Sequence, residues 1–153
     1  MREVRRSNEG FSLLELLIVV AIILVIATIA IPSLIRSRQA ANESSAVANL
    51  RTISNAEATF LSWSGGSYGD LSQLVSDRLL DDRFATGGYG GYLYSITSST
   101  LDFTATATPV SSNMGRYGYY MLPDSVIRYS TTVALAPAGK AGQWGSVGGD
   151  AAP

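Results

Sequence analysis

Residues 11–31 read FSLLELLIVVAIILVIATIAI: 21 residues with a single charge, Glu15. As an α-helix this run would be roughly 31 Å long, close to the ~30 Å hydrocarbon core of a bilayer. Arg2, Arg5 and Arg6 stand ahead of it, with Glu3 and Glu9 on the same side. Basic residues flanking a span tend to stay in the cytoplasm, so the rest of the chain is expected to be translocated. A secretory signal peptide is the competing reading. The run is longer than the usual apolar region of about 7–15 residues, helical patterning continues beyond it, and no small-x-small cleavage site closes it. A membrane helix is the better reading.

Glu15 is out of place in such a helix. A carboxylate at the bilayer centre costs roughly 2.5–3.5 kcal/mol on insertion scales, and intramembrane ionisable residues are functional candidates by default. Lying near one end of the run, Glu15 could snorkel. A neighbouring cation would relieve the cost better, and the run contains none. Cleavage between Gly10 and Phe11 would create one, the α-amino group of Phe11. A second chain shifted along a common axis could place that amine at the level of Glu15, which makes the carboxylate an assembly device.

Gly10-Phe11-Ser12-Leu13-Leu14-Glu15, behind a charged leader and ahead of an apolar span, resembles the processing site of type IV prepilins and of the pseudopilins of type II secretion. The resemblance implies that a membrane-embedded prepilin peptidase cuts after Gly10 and N-methylates Phe11. It also implies that Glu15, the fifth mature residue, pairs with the terminal amine of an adjacent subunit during filament assembly. Pro32 matches the proline at which the long helix of such proteins kinks or melts; physically it removes one i→i−4 bond.

Composition narrows the remaining chemistry. The chain of 153 residues has no cysteine and no histidine, and its only lysine is Lys140. Disulfides, thiolate metal sites, Cys–His and Ser–His–Asp catalysis are therefore absent, and zinc or iron centres lose their usual ligands. A Ser–Lys pair would have to use Lys140, in a Gly/Ala-rich segment. Lysine and arginine total 11 against 12 acidic residues, and without residues 1–10 the balance is 8 against 10. No global basic bias points to nucleic acid.

Beyond Pro32 the pattern stays helical. Val47, Leu50, Ile53, Phe60 and Leu61 recur at spacings of three, four and seven, opposite Ser44, Arg51, Asn55 and Ser62. One nearly continuous helix from Phe11 to about Trp63 is expected, its second half packed on a domain. Glu57 falls near the apolar stripe. It is expected either to bend to solvent or to pair with Arg116, Arg128 or a neighbouring subunit. SWSGGSYG (62–69) ends the helix, and Asp70 caps a short helix over 71–80. The stretch 81–92 reads as loop. Leu101, Phe103, Ala105 and Ala107 then alternate with polar residues as a half-buried strand, with 92–97 as its hairpin partner. Residues 117–122 and 126–130 form a second hairpin around Pro123-Asp124. From Ala134 the sequence has no period and many glycines, and reads as a mobile tail.

The fold expected is α+β, a long N-terminal helix packed on an antiparallel sheet of about four strands, and the resemblance to pilin-like proteins implies the same. The outer part shares their looser pattern over 71–81, 91–94, 107–109 and 126–130. Segments follow as leader 1–10, membrane or filament-core helix 11–31, amphipathic half 32–63, head 64–133 and tail 134–153. The scattered Asp77, Asp81, Asp82, Asp102, Asp124 and Asp150 form no calcium loop and read as caps and turns. The eight tyrosines follow β-propensity. GGYGG (87–91) lacks the lysine and helix of a phosphate loop.

No catalytic residue, cofactor or metal is therefore expected. What the resemblance implies is a structural subunit of a type IV pilus. Its partners would be further copies of itself, the prepilin peptidase, the inner-membrane assembly machinery and the membrane, with no nucleic acid. It would begin as a single-pass precursor in the bacterial inner membrane and end in an extracellular filament. The alternatives are a type II secretion pseudopilin in a periplasmic filament, and a monomeric membrane-anchored binding domain in which Glu15 merely snorkels.

Overall fold

The computed structural model describes residues 11–130 and the short segment 144–146. Helix α1 runs unbroken from Leu13 to Trp63, with Pro32 inside it. Proline lacks the N–H that would reach the carbonyl of Thr28, so one rung is missing while the helix continues on both sides. The helix ends where expected. Gly66 N–H donates to the carbonyl of Leu61 at 3.2 Å, with Gly65 left-handed at φ 77°. This six-to-one closure is the Schellman arrangement, for which glycine is suited because it carries no Cβ.

Two compact units divide the chain, one ending at Leu34 and the other starting at Ile35. The described part of the first is helix with its apolar side chains outward, from Leu13 (76% exposed) to Leu34 (61%).

The second unit is a helix-on-sheet domain. After α1, α2 covers Leu71–Ser76 behind a capping box: the Asp70 carboxylate accepts from Gln73 N–H, and the Gln73 side chain accepts from Asp70 N–H. It is shorter than the expected 71–80. Arg78 adopts φ 59°, and the N–H groups of Leu79 and Leu80 both turn back to the carbonyl of Leu74. That reversal buries Leu80. The stretch expected as loop holds a 3-10 turn at Asp82–Phe84, capped by Asp81, and a two-residue strand.

Six antiparallel strands follow in sequence order: β1 Gly88–Tyr89, β2 Tyr92–Ser98, β3 Phe103–Pro109, β4 Gly118–Met121, β5 Ile127–Ser130 and β6 Trp144–Ser146. Both expected hairpins form, β2 on β3 from Tyr92↔Pro109 to Ser98↔Phe103 and β4 on β5 from Gly118↔Ser130 to Met121↔Ile127. The sheet exceeds the expected four strands at its two edges. β6 lies in the stretch expected as a tail, and the rest of that stretch is outside the described residues. Strand addition at an edge uses backbone N–H and C=O groups, so it leaves little trace in side-chain periodicity.

The core lies between α1 and the inner face of the sheet. Ala46, Leu50, Ile53 and Ala56 meet Tyr92, Tyr94, Phe103, Ala105, Ala107, Met121 and Ile127. The alternation expected for β3 holds for Phe103, Ala105 and Ala107. Leu101 departs from it at 88% exposure, because Ser99 N–H closes onto the carbonyl of Asp102 and places Leu101 in the turn.

Candidate functional site

The N-terminal site is built on the first turn of α1. Gly10 lies outside the described residues. Phe11 precedes the helix at 74% exposure, and the first turn closes through Leu16 N–H to the carbonyl of Ser12 at 3.2 Å. Glu15 sits in that turn, exposed. A carboxylate there faces the positive end of the helix dipole and unpaired N–H groups, a favourable place for an anion. Around it, Leu13 to Ile31 offer an apolar surface that nothing in the described residues covers.

A second constellation holds the head together. Gln39, Glu43, Ala46, Leu50, Ile53 and Glu57 are spaced four, three, four, three and four apart, and all are buried. The polar members and their neighbours seize backbone. Gln39 Nε2 donates to the carbonyl of Ser112 at 2.7 Å, and Asn42 Nδ2 to that of Met114 at 2.9 Å. Glu43 accepts from Arg116 three times, from the backbone N–H (2.8 Å), Nε (3.0 Å) and Nη2 (2.8 Å). Asn49 donates to the buried hydroxyl of Tyr94 at 2.8 Å. Burial pushes the Tyr94 phenol up, against the pull of the Asn49 bond. The β3–β4 loop, residues 110–117, is thus strapped to α1 by polar groups.

Sequence reasoning noticed the apolar half of this stripe and missed Gln39, Glu43 and Asn49. The signal was available, since these positions continue the three-four spacing of Leu50 and Ile53.

Glu57 corrects an expectation. It neither reaches solvent nor pairs with an arginine: the residue is 0% exposed, Arg116 is held by Glu43 and Arg128 by Asp124. Its Oε2 accepts from Gly69 N–H at 3.0 Å, while Oε1 has no partner among the described residues. Burial raises its pKa above the ordinary value; the Gly69 bond opposes this and the Asp70 charge adds to it. The reason is geometric. Glu57 lies one turn beyond Ile53 on the buried stripe, whereas both arginines find carboxylates nearer to them.

The aspartates act locally. Asp70 and Asp81 cap helical turns, and Asp124 accepts from Val126 N–H and pairs with Arg128 at 2.6 Å. Asp150 lies outside the described residues. Among the described residues no three acidic side chains converge.

Comparison with known proteins agrees with the N-terminal geometry. The family described as "Prokaryotic N-terminal methylation motif" matches residues 5–31. A curated protein, the type IV major pilin protein PilA of Myxococcus xanthus (strain DK1622), is 46% identical over 55 residues, which is 36% of this chain and 25% of that protein. The match therefore spans about a quarter of the relative's length. No solved structure matches the chain. Residues 5–31 thus match the N-terminal methylation motif, and over 55 residues the chain is similar to a type IV pilin, with the long helix and antiparallel sheet alongside.

Proposed function

We propose that the chain is a structural subunit of a type IV pilus. It is cut after Gly10 by a prepilin peptidase, N-methylated at Phe11, and moved from the inner membrane into a helical filament on the cell surface. The observation that carries this reading is the pairing of an uncovered apolar helix face from Leu13 to Ile31 with one carboxylate, Glu15, in its first turn. In the membrane that face is solvated by lipid; in a filament it is buried against other copies. Burial of apolar surface at about 25 cal/mol per Å² favours the bundle strongly once subunits leave the lipid. Glu15 then meets the amine of a neighbour and sets axial register, a use for which a buried ion pair suits even when its net stabilisation is small. The similarity to a protein named a major pilin favours a pilus over a pseudopilus.

The test is Glu15→Ala in native cells. Membrane insertion should be retained and sheared surface filaments lost. N-terminal analysis of wild-type sheared material should find methylated Phe11. Filaments at normal yield from the variant would remove the role given to Glu15. Processed protein confined to the envelope would favour the secretion pseudopilus.

A further inference from the structure

The outer edge of β2 is only partly closed. β1 covers it at Tyr92 and Leu93, and Tyr94 N–H adds one bond to the carbonyl of Gly87 at 2.6 Å. From Ser95 to Ser98 no strand lies on that side among the described residues. The direction of the backbone groups there follows from the ladder to β3. Val110 N–H donates to the carbonyl of Gly91 at 3.0 Å, and Ser99 N–H to that of Asp102 at 2.8 Å. Odd-numbered residues of β2 therefore bond inward to β3 and even-numbered ones face outward. The N–H and C=O groups of Ile96 and Ser98 form an open row of donors and acceptors.

An open edge is usually guarded by a charge, a proline or a bulge. This one has none of these. No charged residue and no proline lies between Arg83 and Asp102, and the register with β3 runs evenly from Tyr92 to Ser98. The two charges that bound the stretch are opposite in sign and stand at opposite ends of the edge. Arg83 stacks over Tyr89 at the β1 end, 4.8 Å from the ring centroid, and Asp102 lies in the β2–β3 turn. Both are exposed, and neither forms a salt bridge among the described residues.

A second copy of the chain, laid antiparallel about a two-fold axis at Thr97, fits each of these features. Thr97 then faces Thr97 of the second copy, and Ile96 faces its Ser98. Ile96 and Ser98 exchange both backbone bonds in each such pair, so every group in the open row is satisfied. The same register sets Asp102 of each copy opposite Tyr92 of the other, and Tyr92 pairs with the Tyr89 on which Arg83 stacks. Leu101, 88% exposed, is carried the same way towards the other copy's Leu93, 50% exposed.

We propose that the outer edge of β2 is a self-association site, where two copies join their heads through an antiparallel β2–β2 contact centred on Thr97. The contact is isologous, whereas a helical filament repeats a head-to-tail relation. On the filament reading above, it joins subunits of different filaments. It is short, so a single pair is weak and a row of pairs between two filaments is strong.

Because the chain has no cysteine, single thiols report the geometry. At the axis, a non-hydrogen-bonded pair, the Cα atoms would lie about 4.5 Å apart, within the reach of a disulfide. Ser95 is also exposed, yet its two copies would be roughly 14 Å apart along the edge. Full-length Thr97→Cys and Ser95→Cys chains in detergent micelles are oxidised with copper phenanthroline, and dimer formation is followed on non-reducing gels. Thr97→Cys should dimerise at least about 10-fold faster. Adding Asp102→Arg should slow it about 5-fold. Adding Ser98→Pro removes an outward N–H and spares the ladder to β3, and should bring position 97 down to the rate of position 95. Near-ultraviolet circular dichroism checks that each variant keeps its core. Equal rates at 97 and 95 would overturn the contact. A fast rate at 97 that neither Asp102→Arg nor Ser98→Pro slows would also overturn it, since that is collision between exposed thiols. No filament forms in this assay, so its failure leaves the pilus reading to stand or fall on Glu15.

Discussion

Replacing Glu57 by glutamine should stabilise the head at neutral and alkaline pH and do little in acid. The carboxylate is wholly buried, one oxygen accepts from Gly69 N–H, and the other has no partner among the described residues. An unpaired buried acceptor costs about 1–3 kcal/mol, more when charged, and one charge-assisted bond returns about 1.5–3 kcal/mol. Glutamine keeps the acceptor for Gly69 and removes the charge, at the cost of an amide that must find its own partner. The expected net gain is about 1–2 kcal/mol above the folded pKa. The sign follows from proton linkage. Burial raises the folded pKa above 4.5, so the native state holds its proton longer than the unfolded chain. Wild-type stability is therefore fully present below the unfolded value and falls as pH rises towards the folded one. The glutamine variant lacks this fall, so the two stabilities diverge upward through that window.

Urea unfolding of the full chain in detergent micelles, followed by near-ultraviolet circular dichroism of the core tyrosines, measures both at about pH 4, 6 and 8. A difference that does not change with pH, or a variant less stable at every pH, would refute the reasoning. The first outcome would mean that Glu57 does not titrate between the two pKa values. The second would mean that its free oxygen is satisfied by something the amide cannot replace.

Glu43→Ala should cost about 2–3 kcal/mol in the same assay, since it removes an acceptor of three bonds from a nearly buried place. Arg116→Ala should cost less, about 1 kcal/mol, because that side chain is 52% exposed and solvent replaces part of the pair. A double-mutant cycle with no coupling between the two would refute the strap. Gly115→Ala should destabilise by about 1–3 kcal/mol, because its Cβ would lie 2.1 Å from the hydroxyl oxygen of Tyr92. The hydroxyl also donates to the carbonyl of Tyr117 at 2.9 Å, so the phenol must leave that partner or the loop must move. If the variant unfolds at the wild-type urea midpoint, the close approach is not a constraint in solution.

Much of the fold was legible because its signals are local and periodic. The three-four spacing that runs through Leu50 and Ile53, the glycines at 65 and 66, Asp70 ahead of Leu71, and the alternation from Phe103 to Ala107 each express a single element's own geometry. The N-terminal methylation motif, matched at residues 5–31, was legible for the same reason, since it is one continuous run of sequence. The misreadings fall where an outcome depends on the rest of the chain. Leu101 continues the period of β3 yet sits in the turn, because the hairpin closes at Ser99 and Asp102. Arg78 ends α2 early because reversing the backbone there turns Leu80 into the core.

Residue order by itself determined that there is one apolar helix of membrane length, that Glu15 is its one charge, and that an amphipathic helix and two hairpins follow. Hydrophobic period and backbone preference act over a few residues, so they are written in the chain wherever they act. Only the tertiary structure decided which carboxylate takes which cation. Glu43 and Glu57 lie on the same buried stripe of α1, fourteen residues apart. One meets Arg116, delivered 73 positions away by the β3–β4 loop, and the other meets only Gly69 N–H. Ion-pair choice falls off with distance in space, and that distance is set by how the sheet returns its loops to the helix.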